Sequence, residues 1–170
     1  MFTEFGACFN SLECYTEVTN SCDAFDSKLA SWAYWQYKSF GDFTTTGGTA
    51  EGMFNEDGTP QALKVKAIAR TYAFAYQGLP QSSYFSSRSG AYTTTYTVDK
   101  NVTANTQVFF NKDVFYPNGY KWTMFHAEGG KQMEGTNMKL LDDQHTMDFS
   151  YFDILDYDTN LATVLITPTL

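Results

Sequence analysis

Two short apolar runs, separated by a segment of helix length, constrain the fold more than any other feature of the sequence. The first run is Met1–Ala7 and the second is Ala30–Lys38, and each carries a polar or aromatic side chain where it ends. Parallel strands need a crossover connection that is usually helical, and the segment between the runs is long enough to supply one. The layout therefore predicts two consecutive parallel strands, each with a functional side chain at its C-terminal end.

Glu4 and Trp35 are the side chains that stand at these strand ends. A carboxylate beside a tryptophan indicates a sugar-binding catalytic cleft, because the flat apolar face of the indole stacks on a sugar ring. Glu4 lies inside an apolar run, just before Phe5 and Gly6. Burying a carboxylate there costs free energy, which favours a functional role for the residue. We therefore expect Glu4 to be catalytic and Trp35 to be a sugar platform, with Trp32 packed in the core.

Composition excludes several other classes of function. Aromatic residues make up 18% of the 170 residues, which argues against disorder and suits a β-rich core or a carbohydrate site. The formal net charge of -8 argues against nucleic acid as a partner, because phosphate binding needs a basic face. Apolar runs stay well below the roughly 18–20 residues that span a bilayer, and no signal peptide is recognisable.

The rest of the first half predicts helices and one long loop. Apolar residues recur at three- and four-residue steps over residues 16–29, which predicts a helix, and residues 39–59 predict a loop. A second helix is expected from Pro60 to about Gln77, with Thr59 as its N-cap and with Gly78 and Pro80 ending it.

After Pro80 the pattern changes to short alternating runs rich in Thr, Tyr, Phe and Val, which predict an antiparallel β-sandwich. We expect the sandwich to brace the first domain, with Phe109, Phe110 and Phe115 used for packing rather than for lipid docking. The predicted fold is thus α/β plus all-β, with domains at residues 1–80 and 81–170. The predicted strands are Ala91–Val98, Thr106–Phe110, Lys121–His126, Met138–Leu141, Met147–Phe152 and Leu161–Thr167.

The cysteines and one sequon bear on the cellular compartment. Cys8, Cys14 and Cys22 are the three cysteines of the chain and lie within fifteen residues of one another. Such clustering favours a local disulfide in an oxidising compartment, with Cys14–Cys22 as the first candidate pair and one thiol left over. Zinc binding is not expected, because the spacings are wrong and the histidines lie far away. Asn101 begins an Asn-Val-Thr sequon and is a candidate for N-glycosylation.

Several longer motifs carry a resemblance to a known family. These motifs are Thr3–Ala7, Ser31–Lys38, Phe54–Pro60, Arg70–Pro80, Tyr116–Tyr120 and Ala162–Pro168. They occur in the expected order and spacing, and together they span essentially the whole chain. In these motifs the sequence resembles the C-terminal part of glycoside hydrolase family 5 proteins, and specifically the endoglycoceramidase-like branch. The resemblance implies the last strands and helices of a (β/α)8 barrel, followed by a C-terminal β-sandwich.

The resemblance implies a role for each residue at the strand ends. Glu4 matches the catalytic nucleophile at the end of barrel strand seven, and Trp35 matches the tryptophan that floors the sugar site after strand eight. Gln36 and Lys38 lie at the same rim and are candidate substrate contacts. The implied reaction is retaining hydrolysis, in which a second carboxyl group stands about 5–5.5 Å from the nucleophile. Neither a metal nor an organic cofactor is implied.

The second carboxyl group is the main departure from the family. Its Asn-Glu-Pro motif belongs upstream of every residue present here, and Asn55-Glu56-Asp57 is interpreted as a turn rather than as a substitute. We therefore expect a separate N-terminal chain to complete the barrel and to supply this acid/base group.

Two hypotheses of function follow. In the first, the chain is the C-terminal part of a secreted, lysosomal or vacuolar glycosidase that cleaves a β-glycosidic bond, for example of a glycosylceramide, and is inactive alone. In the second, Met1 is a true start and the chain is a non-catalytic structural or carbohydrate-binding protein derived from such an enzyme. A third, weaker possibility is that the sequence is a piece of a longer polypeptide. The sugar, the aglycone and the oligomeric state are left open by the sequence.

Overall fold

A computed structural model describes residues 1–126, 132–136, 141, 143, 145–150 and 161–169. The chain forms two compact units, Met1–Ala69 and Arg70–Leu170. This division falls before residue 80, where the sequence analysis placed the domain boundary, because the residues after Ala69 join the sheets of the second unit. The predicted strand Met138–Leu141 lies outside the described residues except for Leu141, as does the end of Met147–Phe152.

Unit 1 is mainly helical. Its longest helix begins after Ser11, whose side chain accepts a hydrogen bond from the backbone N–H of Cys14 at 3.2 Å. This N-cap explains why the helix begins at Leu12 rather than at residue 16 as predicted. Its buried face packs with Ala67 into the core of the unit. The helices are α1 (Leu12–Asp26), a 3-10 helix (Phe43–Thr45), α2 (Gly48–Glu51) and α3 (Ala62–Ile68).

The two apolar runs lie side by side and parallel, but they are much less regular than predicted. They share one bridge, in which the N–H of Phe2 donates to the carbonyl of Ser31 at 2.9 Å and the N–H of Ala33 donates to the carbonyl of Phe2 at 2.8 Å. The prediction that each run forms a full-length strand is therefore wrong in extent. Within the described residues neither run gains a further strand neighbour, and an extended segment needs such a ladder to continue.

The predicted helix from Pro60 to Gln77 is wrong over most of its length. Helix α3 is seven residues long and has Gln61, not Thr59, at its N-cap position. Thr59 instead donates its side-chain O–H to Asp57 within a tight turn. Beyond Ala69 the chain becomes extended, and Gly78 and Pro80 belong to a strand at the edge of a sheet, where a proline is tolerated.

Unit 2 consists of two antiparallel sheets. One has the strand order β1-β4-β7 and the other has the order β2-β3-β8-β5-β6. These sheets confirm the antiparallel sandwich predicted for this part of the chain. The elements are β1 (Tyr72–Ala75), β2 (Gly78–Phe85), β3 (Tyr92–Val98), β4 (Thr106–Phe109), α4 (Lys112–Phe115), β5 (Tyr120–His126), β6 (Gln132–Thr136), β7 (Thr146–Phe149) and β8 (Leu161–Pro168).

Alternation along the strands builds the core of unit 2. Every second residue of β3, from Tyr92 to Val98, is buried. Phe110 and Phe115 are also buried, which confirms the prediction that these aromatic residues are used for packing. The buried hydroxyl of Tyr116 donates to the carbonyl of Gly90 at 2.7 Å and lies 2.9 Å from the hydroxyl of Thr71. Among the described residues, no helix has the length and apolarity needed to cross a membrane.

Candidate functional site

The parallel bridge brings Glu4 and Trp35 to one end of the paired segments. Phe2 and Trp32 form the bridge, Glu4 follows Phe2 by two positions, and Trp35 follows Trp32 by three. Because the two segments run parallel, both side chains lie beyond the same end of the bridge. Trp35 is 38% exposed, and Glu4 is also exposed. The expectation that Glu4 is buried in an apolar strand is therefore wrong, because the run leaves the bridge before Glu4.

Tyr34 contacts the segment that carries Glu4 and holds it in position. Its hydroxyl donates to the carbonyl of Gly6 at 2.9 Å, and its ring meets the ring of Phe5 edge-on with 5.5 Å between centroids. Burial, and then the nearby charge of Glu51, raise the pKa of Tyr34 to about 12. The hydroxyl therefore stays protonated and remains a donor at physiological pH.

Gln36 does not lie at an exposed rim, contrary to its predicted position. Its side chain is 4% exposed, and its Nε2 donates to the carbonyl of Thr45 at 3.3 Å. Its backbone N–H donates to the carbonyl of Glu51 at 3.1 Å, and the peptide bond between Trp35 and Gln36 is cis. These hydrogen bonds hold the segment that follows Trp35 against the end of the 3-10 helix and against α2, which explains the burial of Gln36. Its Oε1 has no hydrogen-bond partner among the described residues.

Lys38 is exposed and lies among aromatic rings. Its Nζ stands 5.3 Å from the ring centroid of Phe40 and 6.0 Å from that of Tyr37. Ammonium groups over aromatic faces at this distance are weakly attracted to the π-system. Lys38 also lines a groove of about 500 Å³, which we call the Tyr37 groove. The residues that line it are Tyr37, Lys38, Ser39, Gly48, Thr49, Gly52, Phe54, Asn55, Glu56 and Gly58.

The segment Asn55-Glu56-Asp57 forms a turn, which confirms its interpretation from the sequence. The N–H of Asn55 donates to the carbonyl of Thr59 at 2.8 Å, and the N–H of Gly58 donates to the carbonyl of Asn55 at 3.0 Å. Hydrogen bonds from Thr59 lower the pKa of Asp57 below its ordinary value, with the side-chain bond as the main cause.

Sequence reasoning missed the buried Lys64, which holds the loop that lines the groove. Its Nζ donates to the carbonyls of Thr49, Ala50 and Gly52 at 3.1, 3.0 and 3.0 Å. Gln61 Nε2 donates to the same Thr49 carbonyl at 2.7 Å. Burial lowers the pKa of Lys64 from its ordinary value. The available signal was spacing, because Gln61, Lys64 and the buried Ala67 recur every three residues on one face of α3.

The structure corrects the predicted disulfide. Cys8 and Cys14 are bonded, with 5.6 Å between their Cα atoms. Cys14 and Cys22 both lie on α1, eight residues apart, and a rise of about 1.5 Å per residue separates them by about 12 Å along the helix axis. A disulfide requires Cα atoms closer than about 7 Å, so the predicted Cys14–Cys22 pair is excluded. Cys22 is buried in the core of unit 1.

The sequon lies in a surface turn between β3 and β4. Asn101 is exposed, and both its backbone N–H and its side-chain Nδ2 donate to Asp99 Oδ1 at 2.9 Å. Within the described part of the chain, no group of three or more His, Cys, Asp or Glu residues could hold a metal ion.

Comparison with known proteins identifies the class. Residues 70–150 match the family described as glycoside hydrolase family 5 C-terminal domain. An endoglycoceramidase of Hydra vulgaris is 34% identical over 123 residues, which cover 72% of this chain and 22% of that protein. An endoglycoceramidase of Cyanea nozakii is 30% identical over 116 residues, which cover 66% of this chain and 23% of that protein.

Solved structures show the same fold. Endo-glycoceramidase II from Rhodococcus sp., as its lactosyl-enzyme intermediate, has a TM-score of 0.69 at 18% identity and matches 99% of this chain and 33% of its own. Sterylglucosidase 1 of Cryptococcus neoformans has a TM-score of 0.67 at 13% identity, over 93% of this chain and 24% of its own.

The fold and the family match thus define the C-terminal part of a glycoside hydrolase family 5 protein, with the end of a (β/α)8 barrel followed by a β-sandwich. Its relatives place it in the endoglycoceramidase-like branch, which confirms the resemblance seen in the sequence. The chain spans less than a quarter of the length of these curated relatives.

Proposed function

We propose that this chain is the C-terminal part of a retaining glycoside hydrolase, with Glu4 as its nucleophile. The observation that carries the proposal is the position of Glu4 and Trp35 beyond one end of a parallel pair, in a chain related to endoglycoceramidases. In a (β/α)8 barrel that end is the catalytic face.

In the proposed mechanism, a Glu4 carboxylate oxygen attacks the anomeric carbon of the sugar and forms a covalent glycosyl-enzyme. A second carboxyl group, about 5–5.5 Å away, protonates the leaving oxygen and later deprotonates the water that releases the sugar. Trp35 packs against the apolar face of the sugar ring, and Lys38 donates hydrogen bonds at the rim. Tyr34 keeps the Glu4 segment in place through the carbonyl of Gly6.

The proposed substrate is a glycolipid of the glycosylceramide type, with a β-glycosidic bond between the sugar and the lipid alcohol. The names of the curated relatives support this class of substrate. The sterylglucosidase of similar fold is also named for a sugar attached to a lipid alcohol.

We propose further that an N-terminal chain or segment completes the barrel and supplies the second carboxyl group. The length of the relatives supports this proposal, since the chain matches less than a quarter of each. Exposed apolar side chains at the bridge support it as well, because Met1 is 85% exposed and Phe2 is 51% exposed. Such side chains are ordinarily buried when a barrel closes around its strands.

Two measurements on the purified particle test the proposal: the masses of the particle and its chains, and its hydrolase activity. The native mass of the purified particle, with the denaturing mass of every chain in it, should show a partner large enough to supply six barrel strands. That particle should hydrolyse lactosylceramide, and Glu4→Gln should lower kcat by at least about 10³-fold because the amide is a poor nucleophile. Glu13→Gln, at an exposed site on α1, is the matched control and should keep full activity. A complete particle that is inactive, or that is unaffected by Glu4→Gln, would favour the non-catalytic carbohydrate-binding alternative.

We also propose that the protein is a secreted or lumenal glycoprotein. The Cys8–Cys14 disulfide supports an oxidising compartment, and the exposed Asn101 is an accessible sequon. Protein from its natural source should lose mass when N-linked glycans are removed, and its thiols should become alkylatable at Cys8 and Cys14 only after reduction. An unmodified Asn101 together with two reduced cysteines would contradict this proposal.

A further inference from the structure

The Tyr37 groove is a second concave site in unit 1, formed by chain segments that follow Trp35. Its volume of about 500 Å³ lies within the usual range of small-molecule sites. Three segments form its walls, at residues 37–39, 48–52 and 54–58. Neither Glu4 nor Trp35 lines it, but Lys38, the proposed rim contact, does, so the groove adjoins the proposed catalytic position without containing it.

The lining of the groove combines an aromatic face with neutral overall charge. Tyr37 is 63% exposed, and the edge-to-face contact with Phe54, at 5.1 Å between centroids, sets the orientation of its ring. Lys38 and Glu56 are the two charged residues of the lining, and their charges cancel. Asn55 adds an amide, whose Nδ2 donates to Thr59 and whose position is thereby fixed.

The walls of the groove are held in place before any ligand binds. The N–H of Met53 donates to the carbonyl of Tyr37 at 2.9 Å, which fixes the aromatic side of the groove. In the wall formed by residues 48–52, Lys64 Nζ holds the carbonyls of Thr49 and Gly52 at 3.1 and 3.0 Å. A site with fixed walls loses less conformational entropy on binding.

We infer that the Tyr37 groove is a second subsite, for a neutral sugar ring, which adjoins the site at Trp35 and shares Lys38 with it. An aromatic face, a carboxylate acceptor, an amide and an ammonium donor suit a ring that is apolar on one face and hydroxylated at its edge. Because Glu56 offsets Lys38, the groove has no net positive charge to hold a phosphate or other anion, and a lipid chain would leave both charged groups desolvated without partners. The inference rests on the proposed function only for the identity of the ligand. That ligand would be the oligosaccharide head group of a glycolipid, with more than one sugar.

A binding experiment on the whole 170-residue chain tests the inference without requiring turnover. The protein carries Trp35→Ala, which removes the other candidate platform, and it is titrated with lactose by calorimetry and by amide NMR. We expect saturable binding, with shifted amides at residues 37–39 and 54–58. Adding Tyr37→Ala should weaken the affinity by about tenfold or more. Adding Glu56→Gln, a nearly isosteric change, should weaken it about threefold to tenfold by removing a charged acceptor.

The same lactose titration includes a control variant and a control ligand, and it has outcomes that would overturn the inference. Phe9→Ala removes an exposed aromatic ring outside the groove and should leave the affinity unchanged. Inorganic phosphate should produce no saturable shifts. Absence of lactose binding, binding unaffected by both groove substitutions, or preferential binding of phosphate would each overturn the inference. If lactose binds in the groove but the completed particle has no hydrolase activity, the proposed function fails while the subsite stands. If that particle is active and Tyr37→Ala changes neither lactose binding nor KM, the subsite inference fails while the proposed function stands.

Discussion

Replacing Lys64 by methionine should destabilise unit 1 although it removes a buried charge. The side chain of Lys64 is 0% exposed, and its ammonium donates to three backbone carbonyls at the end of α2. Methionine has a similar length and fills the same space, so the change tests the hydrogen bonds rather than the packing.

The size of the expected loss of unfolding free energy depends on which carbonyls lose a hydrogen-bond donor in Lys64→Met. Thr49 keeps the hydrogen bond from Gln61 Nε2 at 2.7 Å, so the carbonyls of Ala50 and Gly52 are the ones left without Lys64. An unsatisfied buried acceptor costs about 1–3 kcal/mol, and the contact at Gly52 is fully buried whereas that at Ala50 is partly buried. Relief of the ammonium's desolvation offsets part of this cost. The expected net loss is about 2–4 kcal/mol of unfolding free energy.

Urea denaturation of the full chain at neutral pH measures this loss, with the fluorescence of Trp32 and Trp35 reporting on unit 1. Lys66→Met is the matched control, because Lys66 lies on the exposed side of the same helix. It should change the free energy of unfolding by less than about 0.5 kcal/mol. If Lys64→Met leaves stability unchanged or raises it, the desolvation cost exceeds the value of the three hydrogen bonds and the reasoning is refuted.

The pH dependence gives an independent check with a definite sign. Burial lowers the pKa of Lys64 in the folded state below its ordinary value of 10.5, so the unfolded state binds more protons between the two values. Stability from this group therefore rises as pH increases through the lowered pKa, and levels off above 10.5. The stability difference between the wild type and Lys64→Met should increase across that window, and the tyrosine titrations cancel in this difference. A difference that is constant or decreases would show that burial does not penalise the ammonium.

The contact between Tyr34 and Gly6 gives the remaining predictions. Tyr34→Phe removes a 2.9 Å hydrogen bond and should lower the unfolding free energy by about 0.5–1.5 kcal/mol, and in the completed particle it should lower kcat more than it raises KM. Gly6→Ala should cost more, about 1–3 kcal/mol, because Gly6 has φ +89° and a Cβ there would collide with the Tyr34 ring. Urea denaturation measures both, and equal stability of Gly6→Ala and wild type would contradict the close approach.

Strands with strict alternation were predictable, whereas strands with helical spacing were not. β3 alternates buried and half-buried residues throughout its length, and its predicted range differs from the observed one by a single residue. Tyr72, Ala73 and Tyr76 instead continue the three- and four-residue spacing of α3, which predicted a longer helix. Pairing of β1 with β4 overrides this local pattern, and that pairing joins residues more than thirty positions apart.

The site was predictable where it depends on the order of the apolar runs, and not where it depends on individual side-chain hydrogen bonds. The parallel alignment of the two apolar runs followed from their spacing, and so did the common end at which Glu4 and Trp35 lie. The burial of Gln36 could not be inferred, because it depends on a side-chain hydrogen bond to the carbonyl of Thr45, at the end of the 3-10 helix. The end of α2 is in turn held by Lys64, from the helix that follows it.

The exposure of the bridge bears on how the catalytic site would be completed. In a closed eight-stranded barrel each strand has two neighbours, so the run that carries Glu4 needs a partner on its second edge, and so does the run that carries Trp35. Within the described residues the two runs share one bridge, and neither run pairs with a further strand. A chain that completes the barrel would add a strand at both edges, extend the bridge into a ladder and cover Met1 and Phe2. The carboxylate of Glu4 would then stand at the end of a regular strand, which is the geometry that the proposed chemistry requires.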